Sequence, residues 1–146
     1  MLDLWYKNKE IMKREILFRG KRVDNGEWIY GGYFKHTPDE NGLQHLIFDF
    51  IDGAIEVHEN TISQLTGLTD KNGVKIFEND ILKENRLNGV ECYYKVFYKK
   101  GGLVINTHQD DFNKPTEHIL FYESVADMQN SGFIETLEVI GNIHDA

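Results

Sequence analysis

The chain is predicted to be a mainly β protein of antiparallel hairpins, and three features of its sequence lead there. Asn-Gly occurs at Asn25-Gly26, Asn41-Gly42, Asn72-Gly73 and Asn88-Gly89, more often than 12 Asn and 13 Gly in 146 positions give by chance, and Asp52-Gly53 adds a related pair. This dipeptide is the strongest short-range hairpin signal, because a two-residue type I′ turn needs positive φ at both central residues. From Glu91 to Lys99 the sequence alternates, with Cys92, Tyr94, Val96 and Tyr98 on one side and charged or aromatic residues between them. That period of two belongs to a strand with one buried face. Helical periodicity is confined to one short stretch near the C-terminus.

Taken in order, residues 1–11 read as an extension outside the fold, since Met12 opens "MKREILFRG", a protein start in its own right. Residues 12–146 are expected to form a single domain, with a hairpin region at 12–64 and a second region at 65–146. "REILFRGKRV" and "EWIYGGYF" flank the first Asn-Gly, and Gly31-Gly32 is expected to mark a bend or bulge in the second strand. "HLIFDFI" and "AIEVHE" flank Asp52-Gly53, "DKNG" makes a further hairpin turn, and "DILKENRL" leads through Asn88-Gly89 into the alternating strand. Gly101-Gly102 turns the chain toward "LVINT". "SVADMQNSG" supplies the one helix, at about 124–131, with Ser124 and Asp127 at capping-box spacing, Val125 and Met128 facing inward and Gly132 as the stop. "ETLEVIGNI" closes the chain as a strand.

Composition excludes several classes. At 146 residues with 40% hydrophobic and 27% charged content, the chain suits one folded domain rather than a disordered one. Its apolar runs fall far short of the about 20 residues a spanning helix needs, and the acidic, interrupted N-terminus lacks a secretory layout. One cysteine, Cys92, permits no internal disulfide, and a cytoplasmic location is expected. Residues 1–22 carry seven basic and three acidic side chains, a net of +4, and the remaining 124 carry nine and 21, a net of −12; the two sum to −8. An acidic body repels nucleic-acid backbones unless the basic N-terminal segment makes the contact.

No constellation identifies a reaction. His108, Asp110, Asp111 and His118 have the side chains for a metal site or proton transfer, but their spacing fits no familiar ligand pattern and the stretch reads equally as an exposed loop. Cys92 falls on the predicted inner face, where a thiol is a small hydrophobe rather than a nucleophile. Trp28, Tyr30, Tyr33 and Phe34 beside Arg19, Lys21 and Arg22 admit a stacking platform for single-stranded nucleic acid; strand packing alone explains them more simply. Asp70, Glu78 and Asp80 lie close enough in sequence to raise cation binding. No catalytic, cofactor or metal residue is assigned.

Three separated blocks, "REILFRG" followed by "GEWIYGGYF", then "TGLTDKNGVKIFENDIL", then "VIGNI" at Val139 to Ile143, resemble the YopX family of small phage and prophage proteins. The resemblance covers roughly Met12 to the C-terminus. It implies a mainly β fold with barrel-like sheets, here expected as a partly open, SH3-like barrel, together with self-association in a phage-derived protein. It implies no activity. The family usually shows Tyr-Thr-Gly-Leu and Glu-Gly-Asp-Ile where this chain has Leu65-Thr66-Gly67-Leu68 and Glu78-Asn79-Asp80-Ile81. Asn is the best stand-in for Gly at positive φ, so Asn79 is expected to be left-handed, at a corner between "VKIF" and "DILKEN", with the Asp80 carboxylate bonded to nearby backbone N–H groups. The expected role is a non-enzymatic accessory protein acting through protein contacts, with itself and with an unidentified phage or host protein; nucleic-acid binding by the basic N-terminal strand is the alternative.

Overall fold

The computed structural model describes residues 15–89, 91–99, 102–108, 123–124 and 136–145. Within them the chain forms two antiparallel sheets. The first takes β1 (Phe18–Lys21), β2 (Trp28–His36), β3 (Gln44–Asp49), β4 (Gly53–Glu56), β5 (Ser63–Thr69) and β6 (Lys75–Phe77), in the order β4-β3-β2-β1-β5-β6. The second takes β7 (Asp80–Asn85), β8 (Glu91–Lys99), β9 (Gly102–His108), β10 (Glu123–Ser124) and β11 (Leu137–Asn142), in the order β10-β9-β8-β7-β11. A short 3-10 turn at Glu59–Thr61 leads into β5. The mainly β antiparallel class is as predicted, and among the described residues the sheets do not close into a barrel. One isolated bridge, Arg22 to Val57, brings the chain after β4 back against the end of β1.

Each Asn-Gly or Asp-Gly pair lies between paired strands, but the turns are not type I′. Gly26, Gly42, Gly53, Gly73 and Gly89 have positive φ, whereas the residue before each does not; among the described residues Asn79 is the one non-glycine that does. The loops are longer than the two residues a type I′ hairpin requires. At 71–73, Gly73 N–H donates to the Asp70 carbonyl (3.0 Å) and Asp70 N–H to the Val74 carbonyl (2.8 Å). This is a type I turn closed by a left-handed glycine, which matches strand twist in loops of this length.

Gly31-Gly32 produces no bulge. The β2 register runs unbroken, with Gly31 opposite Phe18 of β1 and Gly32 opposite Phe48 of β3. The pair marks where β2 passes from one neighbour to the other, and a Cβ at Gly31 would fall on the Phe48 carbonyl while one at Gly32 would meet open space.

Strand alternation creates two cores. Ile29, Ile47 and Val57 pack with Phe18, Tyr33, Ile55 and Ile62 as the core of the first sheet. Ile76, Leu82, Cys92, Tyr94, Val96 and Leu137 form the second core, with Leu68 and Val139 against it. Ile76 of β6 and Leu68 of β5 thus reach from the first sheet into the core of the second. Cys92, Tyr94 and Val96 face inward as the alternation predicts; the Tyr98 side chain lies outside the described residues. Fully burying Leu82 (0% exposed) contributes roughly 1.5–3 kcal/mol. Tyr94 keeps its ring in this core and donates its hydroxyl to Glu84 (2.6 Å); burial, then that carboxylate, push its pKa up to about 12. Ser124, the expected helix cap, is the last residue of β10, opposite Val104, and residues 125–131 of the predicted helix lie outside the described residues.

Candidate functional site

The polar centre of the molecule is the corner between β6 and β7. Asn79 sits there with φ of 67°, the left-handed conformation expected of it. Its backbone joins two strands, N–H donating to the Val96 carbonyl (2.7 Å) and C=O accepting from Ile143 (3.1 Å). Replacing Asn79 by Gly is expected to leave stability nearly unchanged, whereas Val, β-branched and strained at positive φ, should cost about 1–2 kcal/mol. Equal urea midpoints for the two variants would refute this.

The corner delivers Asp80 into the interior at 1% exposure. One carboxylate oxygen accepts from Phe77 N–H (2.8 Å) and the other from Asn142 Nδ2 (3.1 Å) and from the Arg19 guanidinium, with which it forms a buried ion pair. Asn142 Nδ2 also reaches the Glu78 carbonyl (3.3 Å). Arg19, on β1, lies between two rings, its guanidinium carbon 4.4 Å from the Trp28 centroid and 4.3 Å from that of Phe77. Its Nε is buried with no hydrogen-bond partner among the described residues; the two ring faces supply electrostatic contact where a hydrogen-bond acceptor would otherwise be needed. Burial holds the Asp80 carboxyl above its ordinary value, ahead of the opposing pull of Arg19.

A second carboxylate organises the preceding turn. Asp70 is buried and accepts from Asn72 N–H (2.8 Å), Val74 N–H (2.9 Å) and, across the molecule, Val139 N–H of β11 (3.0 Å). Thr66 pins the irregular part of β5, its hydroxyl donating to the Ile76 carbonyl (2.8 Å) and accepting from Leu68 N–H (3.1 Å) around a left-handed Gly67. A cleft of about 370 Å3 opens at the corner, where the Arg19–Asp80 pair lines it together with Leu17, Tyr30, Val74, Lys75, Phe77 and Val139. Glu78 stands half-buried at the corner, its pKa raised by burial against the lowering effects of the Gln64 backbone and Lys95.

A raised carboxyl holds its proton to higher pH in the folded state than in the unfolded one. Its contribution is therefore complete below the unfolded value, about pH 4, and is lost as pH rises through the folded value. Glu78→Gln should flatten that part of the stability profile and leave the neutral-pH midpoint unchanged or higher. Urea melts between pH 4 and 7 that keep the wild-type slope in the variant would count against this assignment.

The sequence candidates are distributed unevenly. Asp70 and Asp80 serve separate backbone and ion-pair partners, and among the described residues no three His, Cys, Asp or Glu side chains group to hold a metal. Cys92 is a buried free thiol. Within the aromatic set, Trp28 and Tyr30 share the Arg19 face, whereas Tyr33 points into the first core, stacked on His45 with its hydroxyl 2.7 Å from Nδ1. The neighbouring cations are committed internally: Arg19 to Asp80, Arg22 to Asp24 (2.7 Å) and Lys21 toward Asp145 (3.9 Å). The His108 side chain, Asp110, Asp111 and His118 lie outside the described residues. Sequence reasoning did not find the Arg19–Asp80–Asn142 cluster or the Tyr33–His45 pair, since each joins strands distant in sequence. The signal available for the first was that three separated blocks each contain one member.

Those blocks meet here. Arg19 comes from "REILFRG", Phe77, Asn79 and Asp80 from "KIFENDIL", and Asn142 from "VIGNI". No curated protein matches the chain. A family model described as YopX protein matches residues 17–146, the span that holds every residue of this cluster, and the chain belongs to the YopX family.

Proposed function

We propose that the protein acts without chemistry of its own, as a phage- or prophage-derived accessory protein of the bacterial cytoplasm, through protein contacts that include self-association. The observation that carries this reading is the end of the β3–β4 hairpin, where Phe50 is 99% and Ile51 92% exposed. Phe48 and Phe34 extend the surface, 48% and 41% exposed on one face of the β2–β3 ribbon, and the Phe48 and Phe50 rings meet edge to face at 6.2 Å. Contiguous apolar side chains of this size in water mark interaction surfaces. The family resemblance supports the phage origin, and among the described residues no helix is long and apolar enough to cross a membrane. The two charges of the corner cluster are paired with each other.

Sedimentation velocity tests the proposal. The wild-type chain should associate as its concentration rises, and Phe50→Ser with Ile51→Ser should abolish that association with little change in melting temperature, because both side chains are almost wholly exposed. A wild-type protein that stays monomeric at every concentration would overturn self-association.

A further inference from the structure

The four Asn-Gly pairs share one covalent liability, and the fold distributes it unequally. Deamidation begins when the glycine backbone nitrogen attacks the asparagine Cγ. The new C–N bond closes a succinimide as the C–N bond to the side-chain nitrogen breaks, and the proton of the attacking N–H passes by way of solvent to that nitrogen, which leaves as ammonia. Water then opens the ring at either carbonyl, leaving aspartate or isoaspartate. The attacking N–H must be free, because an amide held to a carbonyl must first release that bond before it turns toward the side chain.

Three of the four are held. Gly26 N–H donates to the Arg22 carbonyl (2.9 Å), Gly73 N–H to the Asp70 carbonyl (3.0 Å) and Gly89 N–H to the Arg86 carbonyl (3.0 Å). Asn25 is restrained a second time, its Oδ1 accepting from Glu27 N–H (2.9 Å). Gly42 N–H closes the turn at 40–41 toward the Asp39 carbonyl, but outside the distance and angle of an ordinary hydrogen bond, so it is held more loosely than the other three. All of residues 37–43 are exposed, and among the described residues the loop's one side-chain bond runs from Asn41 N–H to Asp39 Oδ1 (2.9 Å) and does not engage the Asn41 amide group.

We propose that Asn41 is the principal deamidation site of the native chain, modified ahead of Asn25, Asn72 and Asn88. The product places a third carboxylate beside Asp39 and Glu40, and the isoaspartyl form lengthens the β2–β3 loop by one backbone atom. That free isoaspartyl carboxylate is the kind of group that repair methyltransferases esterify.

The test is timed peptide mapping of the full-length folded protein, held warm below its melting point at mildly alkaline pH. Mass spectrometry follows the amide-to-acid change at each Asn-Gly, and a matched sample in urea provides the unfolded rates. Once each native rate is divided by its own unfolded rate, Asn41 should be roughly two- to tenfold faster than the others, the factor one ordinary backbone hydrogen bond imposes. A normalised rate at Asn25, Asn72 or Asn88 that equals or exceeds that of Asn41 would overturn the assignment, as would an Asn41 rate suppressed well below its unfolded value.

Discussion

Replacing Asp80 by Ala is expected to destabilise the protein by about 3–5 kcal/mol, the cost of leaving one partner of a buried ion pair uncompensated. The guanidinium of Arg19 cannot shed its charge in a protein interior; the Phe77 N–H would lose its acceptor and Asn142 Nδ2 one of its two. The reverse change, Arg19→Met, should cost measurably less. It leaves a carboxyl that burial already pushes toward its neutral form, so protonation relieves the strain, and the long apolar side chain still fills the gap between Trp28 and Phe77. Urea midpoints at neutral pH decide the matter; Arg19→Met as costly as Asp80→Ala would show that the asymmetry is absent.

The second large effect concerns two adjacent glycines with opposite tolerances. Gly31→Ala should cost about 3 kcal/mol, at the upper end for overpacking, because the added Cβ lands on the Phe48 carbonyl. Backbone cannot yield by changing rotamer, as a flexible side chain would. Gly32→Ala should be close to neutral, with open space around its Cβ and a φ that any residue adopts. Thermal melts showing equal losses at the two positions would refute the distinction.

Much of this fold was legible because it is local. The position of each hairpin followed from Gly-containing dipeptides, the inner face of β8 from alternation, and the left-handed corner from Asn79 in a place the family usually gives to Gly. Turn type was misjudged because it depends on loop length, which the dipeptide alone does not state. Gly31-Gly32 forms no bulge, and its demand for glycine comes from a close approach. A close approach between strands requires knowing the partner, here Phe48, and no feature of "IYGGYF" names it. The Arg19–Asp80–Asn142 cluster was the least legible, because its members lie 61 and 62 residues apart in sequence. Nothing near Arg19 distinguishes a cation destined for the interior from one meant for solvent, and the basic N-terminal segment invited the second interpretation.

That separation also orders events as the protein folds. Hairpins closed by short loops form on the microsecond scale, so β1 with β2, and β7 with β8, need not wait for one another. The junction at Asp80 has to wait, because closing it brings together three segments and the loop entropy between them must be met first. The contacts that join Arg19, Asp80 and Asn142 are thus expected to form late, turning local hairpins into one cooperative unit.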